Sequence, residues 1–348
     1  MKEVTRKARV AKGERDRGKV TGGRMDYCAR LTFGALHPAE KGIALVMALW
    51  VLVLLSIVAL NFLGSGRWNT ASTRNLKDET ASYYLALSGF HEALNYLMLD
   101  KNPAADFSDT DGNFWADREK PSVTGRRDTE AGEVDISITD EDSKLNINRA
   151  SPEQLRQLFM YAGVADDAIP GIVDAILDWK DPDREERLLG AEDTYYEGLA
   201  EPYKAKNGPF DLPEELGLVK GVMPEYLYGG GEFRAILPLI TTFGAGSMNI
   251  NTVSAGVMQF MGLNNFEVEA VLKQRTLDTG GFRTAPQQFV ERGLNAQTPA
   301  NLRVEVRAKA TNSSQTSKIT AVVRRQPGGK GFRIQTIYWR ERAEGIRS

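Results

Sequence analysis

Residues Ile43 to Gly66 carry no ionisable side chain, and no proline interrupts them. At about 1.5 Å per residue such a helix is roughly 36 Å long, enough to cross a hydrocarbon core of about 30 Å. The polar side chains in the run are Ser56, Asn61 and Ser65. A core helix of a soluble domain would show a charged face over that length. A secretory signal peptide has a shorter apolar region, roughly 7–15 residues, with a small-x-small cleavage site behind it. Here Arg67-Trp68-Asn69 follow. The run therefore reads as one retained membrane helix with a large domain behind it.

Charge sets the orientation. Residues 1–42 hold 11 Lys+Arg and 5 Asp+Glu, whereas the rest of the chain holds 33 and 41, so net charges of +6 and −8 flank the start of the run. The basic flank stays in the cytoplasm by the positive-inside rule. The acidic remainder then lies outside, in the periplasm of a Gram-negative cell. The single cysteine, Cys28, falls in the basic leader, so the outer part can form no internal disulfide. His37 lies in the leader and His91 on an expected helix face that packs, which argues against a catalytic histidine or a His-rich zinc site. Met25 is an internal methionine, and a start there would shorten the leader to MDYCARLTFGALHPAEKG.

Beyond the run, Leu76, Thr80, Tyr83, Tyr84, Leu87, Phe90, Leu94 and Leu97 recur at three- and four-residue steps, predicting an amphipathic helix that ends at Asn102-Pro103. A polar loop is expected over residues 104–130. In it, DTDGN (Asp109–Asn113) has the look of a calcium-loop fragment but lacks the distal glutamate, so it reads as a turn. EVDISITDED then alternates, with Val134, Ile136 and Ile138 on one face, and predicts a half-buried strand. Residues 146–300 read as short-looped helices. LRVEVRAKAT, KITAVVRRQ and FRIQTIYWR read as three closing strands, the last two joined through Pro327–Gly331. The simplest architecture is a helix on an antiparallel sheet, with a helical domain inserted between its first and last strands.

Two segments echo each other. KLNINRASPEQLRQLFMYAGV (144–164) and SMNINTVSAGVMQFMGL (247–263) both run Asn-Ile-Asn, polar turn, apolar-periodic helix, then glycine and an apolar residue. FDLPEELGLVKGVMPEYL is a looser third copy. Such helix-hairpin units occur in DNA-binding proteins, where a Gly-apolar-Gly turn contacts phosphate. Here the turns read Gly163-Val164-Ala165, Gly221-Val222-Met223 and Gly262-Leu263-Asn264, without the second glycine, and Asp166 and Asp167 behind the first would repel phosphate. Packing and protein contacts are the expected use. A membrane-anchored DNA-binding protein of a pilin-like uptake machine is the alternative.

DWKDPDREERLLGAEDTYY (178–196) gathers Asp178, Asp181, Asp183, Glu192 and Asp193 around tight turns. Carboxylates without His or Cys suit Ca2+ rather than zinc, although the spacing is not that of an EF-hand. The competing reading has Asp181 and Asp183 capping turns and the rest facing water. No nucleophile and base are placed together, so no enzyme is expected.

The stretch KGIALVMALWVLVLL resembles a type IV prepilin cleavage site, in which a basic leader ending in glycine is followed at once by the apolar helix. The resemblance implies cutting after Gly42 by prepilin peptidase and N-methylation of Ile43. Most relatives carry glutamate at the fifth mature position. Here that position is Met47, which fits a subunit with no neighbour above it. DEDSKLNINRAS, AILDWKDPD, LLGAEDTYY, PYKAKNGPFDLPEELGLVKGV and MNINTVSAGVMQFMGL resemble, in order, the K-type minor pseudopilin family (GspK) of the type II secretion system. The long leader and Ile43 at the mature start depart from the family's usual pattern. The resemblance implies an α+β, type IV pilin-like fold, a long N-terminal helix packed on an antiparallel sheet, with a large inserted all-α domain of helix-hairpin, SAM-like modules. The implied division is a removed leader (1–42), a transmembrane half-helix (43–66), the pseudopilin helix, variable loop and first strand (67–140), the insert (141–300) and the closing strands (301–348). It further implies a tip complex with I- and J-type minor pseudopilins, H-type and major pseudopilins below, and Ca2+ in the insert. The expected location is the inner membrane, single-pass, with the bulk of the chain periplasmic and no nucleic-acid partner.

Overall fold

The computed structural model describes residues 38–116, 121–276, 280–328 and 331–345. The leader segment with Met25, Cys28 and His37 lies outside them. The chain divides into two units, Met1–Arg67 and Trp68–Ser348.

Helix α1 (Pro38–Met98) contains the whole apolar run. Its span Gly42–Asn61 is long and apolar enough to cross a membrane, with mean hydropathy 3.0 and nothing in it buried. Backbone groups are satisfied within the helix, and the Ser56 hydroxyl donates to the Leu52 carbonyl at 2.8 Å. That suits a segment with no water around it.

In the second unit, the five-stranded antiparallel sheet consists of β1 (Gly125–Thr129), β2 (Gly132–Asp140), β3 (Asn301–Ala310), β4 (Gln315–Gly328) and β5 (Gly331–Gly345), in the order β5-β4-β3-β2-β1. Strand β1 lies inside the segment expected to be a loop. GRRDT lacks apolar alternation because β1 is a sheet edge with no buried side chain. On β2, Val134, Ile136 and Ile138 do share the buried face, opposite Ala308, Val306 and Val304 of β3.

The part of α1 from Trp68 onward packs on that face by a stripe that overlaps the expected one, with Phe90 and Leu97 buried and Tyr83, Leu87 and Leu94 half-buried, but shifted toward small residues. Leu76 and Tyr84 are exposed, and the buried positions include Ser82, Ala86, Gly89, Phe90, Ala93 and Leu97. The reason is close approach. A Cβ on Gly89 would stand 2.9 Å from Val134 Cγ1 and 3.0 Å from Val306 Cγ1, so small residues are required along the contact. His91 is exposed, not in the packed face.

Between β2 and β3 the chain forms a mostly helical insert with its own apolar core. It is not all-α. Leu145–Asn146 pairs in parallel with Ile240–Thr241, and Met248–Asn249 with Leu294–Asn295. Its helices include α2 (Pro152–Ala162), α3 (Ile169–Lys180), α4 (Ala255–Phe260) and α5 (Asn265–Gln274). Ser151, Ser254 and Asn264 cap α2, α4 and α5 through side-chain oxygens, as polar residues before apolar helices should. The three turn glycines, Gly163, Gly221 and Gly262, take φ of 92°, 82° and 84°, and Val164, Val222 and Leu263 behind them are buried.

The insert is rooted in the sheet by charges. Buried Glu141 accepts from Arg303 Nε at 2.6 Å and from the Thr241 hydroxyl, with Lys144 Nζ at 3.5 Å. Asp140 accepts from Asn249 Nδ2 (2.9 Å) and the Thr252 hydroxyl (2.7 Å). Burial, aided by the charge of Asp142, pushes the Asp140 carboxyl up to about 7. Arg325, at the far end of β4, sits buried between Asp100 and Asp106.

Candidate functional site

The echoed Asn-Ile-Asn motifs are two copies of one latch. Asn148 donates to the Phe210 carbonyl at 2.9 Å and accepts from its amide at 2.7 Å; Asn251 does the same to Phe282, at the same two distances. The first asparagine of each motif accepts from the amide two residues on, Asn146 from Asn148 at 3.0 Å and Asn249 from Asn251 at 3.1 Å. A side-chain amide that pairs both polar groups of a loop residue replaces a strand ladder there. The motif is therefore architectural. It also exposes a repeat the sequence reading misaligned: Gly208-Pro209-Phe210 corresponds to Gly280-Gly281-Phe282, each followed closely by a proline-led turn, Pro213 and Pro286. The shared Gly-x-Phe was the available signal.

The acidic turn behind α3 is the site with unspent ligand capacity. Asp178 is fully buried at the C-terminal end of α3 and already saturated: Arg187 Nη1 lies 2.5 Å from Oδ1, and the amides of Ala191 (2.9 Å) and Arg187 (3.2 Å) donate to Oδ2. The same guanidinium nitrogen lies 2.5 Å from Asp181 Oδ2. Asp193 Oδ1 accepts from the Ala205 amide at 3.0 Å. Arg187, unnoticed in the sequence, thus fixes the turn by bridging two of its carboxylates.

What remains are Asp181, Asp183 and Glu192, which offer one oxygen each within 4.8 Å of one another. Glu192 is 4 % exposed, yet both its oxygens are buried without a hydrogen-bond partner among the described residues, as is Asp181 Oδ1. An unpaired buried carboxylate is costly unless a cation satisfies it. Burial pushes the Glu192 carboxyl above its usual range, and the charges of Asp178, Asp181, Asp193 and Asp183 raise it further. The oxygen spacing suits ligands of one ion at 2.3–2.6 Å, the Ca2+–oxygen range. Asp181, Asp183 and Glu192 could hold a metal; of the five carboxylates expected there, Asp178 has both oxygens engaged by the protein, whereas Asp181, Asp183 and Asp193 each have one engaged.

Elsewhere, Asp109 is a turn anchor: it accepts from the amides of Asp111 (3.0 Å) and Asn113 (2.8 Å), and from Trp115 Nε1 (2.8 Å). Burial opposes its ionisation, but the bonds from Trp115 and Asn113 win and hold its carboxyl below the usual value. The processing residues Gly42, Ile43 and Met47 all lie on α1, with Ile43 and Met47 exposed.

Comparison with known proteins is consistent across sequence and fold. Residues 135–241 match the family model described as type II secretion system (T2SS), protein K. Type II secretion system protein K of Pseudomonas aeruginosa is 25% identical over 261 residues, covering 71% of this chain and 74% of that protein. The Aeromonas hydrophila protein of the same name is 28% identical over 233 residues, 62% of this chain and 67% of its own length. Among solved structures, a chain in the crystal structure of the GspK-GspI-GspJ complex from the type 2 secretion system of enterotoxigenic Escherichia coli has the same fold. The TM-score is 0.50 at 16% identity, over 80% of this chain and 99% of that one. The matched segment runs from β2 through the latch of Asn148 and the acidic turn to Thr241, so the family signature and the candidate site coincide. By family model, by curated relatives and by fold, the chain is similar to type II secretion system protein K.

Proposed function

We propose that this chain is the minor pseudopilin at the tip of the type II secretion pseudopilus, where it initiates or caps the filament and supports export of folded proteins across the outer membrane. The observation that carries the reading is the wholly uncharged mature start. Met47 stands where most pilin-like subunits have glutamate, inside a helix with no other acid over Gly42–Asn61. A carboxylate in hydrocarbon must be paired. A subunit with no neighbour above it lacks that pairing partner and dispenses with the acid. The bulk added between β2 and β3 is also easier to seat at an end than in a repeating shaft.

On this reading the architecture is a type IV pilin-like scaffold with helix-hairpin, SAM-like modules in residues 141–300. Prepilin peptidase cuts after Gly42 and methylates Ile43, and the helix holds the chain in the inner membrane with the remainder in the periplasm. The partners are the I- and J-type minor pseudopilins, since the solved relative was crystallised with GspI and GspJ, with H-type and major pseudopilins below. The ion at Asp181, Asp183 and Glu192 is Ca2+, because the donors are hard oxygens without His or Cys. It would neutralise the two unpaired oxygens of Glu192 and stiffen the turn between α3 and the latch at Phe210.

The test is the N-terminus and intact mass of the membrane-bound protein, with and without prepilin peptidase. N-methylated Ile43, dependent on the peptidase, is the expected result. A chain that keeps residues 1–42, or is cut beyond the apolar run, would defeat the reading.

A further inference from the structure

The sheet face opposite α1 meets the insert in a groove of about 590 Å3. Across its floor runs a row of like charges: Arg307 on β3 stands directly opposite Lys318 on β4, which stands directly opposite Arg342 on β5. Arg340, opposite Thr320, occupies the next row and lines the same groove. Like charges in register across strands destabilise a sheet, so this row is held against its own repulsion.

The acids nearby relieve it only at Lys318. Glu305 is taken by Lys318 at 3.0 Å, and Glu141 by Arg303 and Lys144. Among the described residues Arg307, Arg340 and Arg342 form no ion pair. Asp135 lies across from Arg307 but equally across from Arg126, and Glu214 stands on the insert wall. The surrounding chain is acidic, net −8 over residues 43–348, so the cationic groove is a local departure and not a reflection of overall charge.

We propose that this groove binds an extended, carboxylate-rich polypeptide segment of a partner protein. Neighbouring strands are about 4.8 Å apart, so the three cations of the row are anchored over about 10 Å. Cations anchored over that span suit several carboxylates in a row better than one compact anion. An extended chain, with alternate side chains about 7 Å apart, spans them with two or three carboxylates. The opposite wall supplies apolar footing for the intervening side chains: Leu237 and Pro238 line it, and Phe243 packs on Tyr338 with ring centroids 6.1 Å apart. Arginine forks give each carboxylate a bidentate partner. The inference stands on the groove alone and depends on neither the tip position nor the ion.

The experiment uses the full chain in detergent micelles and a fluorescein-labelled octaglutamate peptide, read by anisotropy at about 0.05 M salt, where surface charges are weakly screened. Saturable binding is expected, weakened at least about tenfold in R307Q/R340Q/R342Q, a change of about 1.4 kcal/mol. A control triple outside the groove, R156Q/K204Q/K273Q, should stay within about twofold, as exposed charges contribute little. The groove triple should melt no lower than wild type, since like-charge repulsion is relieved; if it melts lower, R340Q alone must still weaken binding. No binding by wild type, equal losses in both triples, or an unaffected groove variant overturns the proposal. So does displacement by inorganic phosphate as readily as by unlabelled peptide, which would make the groove a simple anion site.

Discussion

Glu192 shows how one side chain couples an ion, a proton and stability. Its folded pKa is raised, so the folded state holds the proton more tightly than the unfolded chain does. In ion-free protein its stabilising contribution is complete below the unfolded carboxylate pKa and is lost as pH rises through the raised value. A bound cation reverses this, because it requires the ionised form. Calcium at about a hundred times its Kd should therefore contribute about 2.7 kcal/mol at neutral pH, with the gain shrinking as pH falls through the raised pKa of Glu192. Thermal melts across pH, with Ca2+ and with chelator, check this, and the difference between the two series cancels Asp140 and Asp106, whose carboxyls burial raises to about 7 and about 8. In Glu192→Gln the calcium-linked rise in Tm should disappear; an undiminished rise would place the ion elsewhere. The carboxylates themselves were legible in the sequence. Their division was not, because the decisive group is Arg187, whose reach to Asp178 and Asp181 depends on how the Pro182 turn folds back.

At the level of elements, periodicity located four of the five strands of the main sheet and missed β1 and the two-residue strands inside the insert, which are too short to alternate. Strand β2 was legible from Val134, Ile136 and Ile138. Strand β1 was not, since an edge reading Gly-Arg-Arg-Asp-Thr carries no apolar signal. The packed half of α1 misled in the opposite direction. Leu76 and Tyr84 mark periodic positions yet stay exposed, while Ala86, Gly89 and Ala93 meet the sheet beside Phe90 and Leu97. Gly89→Val tests that geometry. Its branched side chain would drive into Val134 and Val306, and overpacking of this kind costs about 1–3 kcal/mol. Urea unfolding should show a lower midpoint with the slope unchanged, and a neutral result would mean that the helix can lift from the sheet freely. The turn glycines were readable because they answer to local geometry alone. The pairing of each Asn-Ile-Asn with a distant Gly-x-Phe answers to the tertiary fold.

For the whole molecule, the proposed tip position rests on two features, the uncharged apolar helix and the insert, and Met47→Glu separates them. If the missing acid is what keeps this subunit from the shaft, the variant should be incorporated along the filament, as crosslinking to major pseudopilin neighbours would reveal. If its incorporation matches wild type, the insert sets the position. The order of events in folding follows from where that insert sits. Strands β2 and β3 are neighbours in the middle of the sheet, yet residues 141–300 separate them in the chain. Closing an unstructured loop of that length costs about 4–5 kcal/mol in entropy, before the first sheet contact forms. An insert that has already collapsed brings its two ends together through Asp140, Glu141 and Arg303, and the sheet then zips up from a short gap. The central sheet is thus kinetically downstream of its own insertion, and lesions in the latches at Asn148 or Asn251 would surface as slow maturation of the helix-and-sheet half, far from the residues changed.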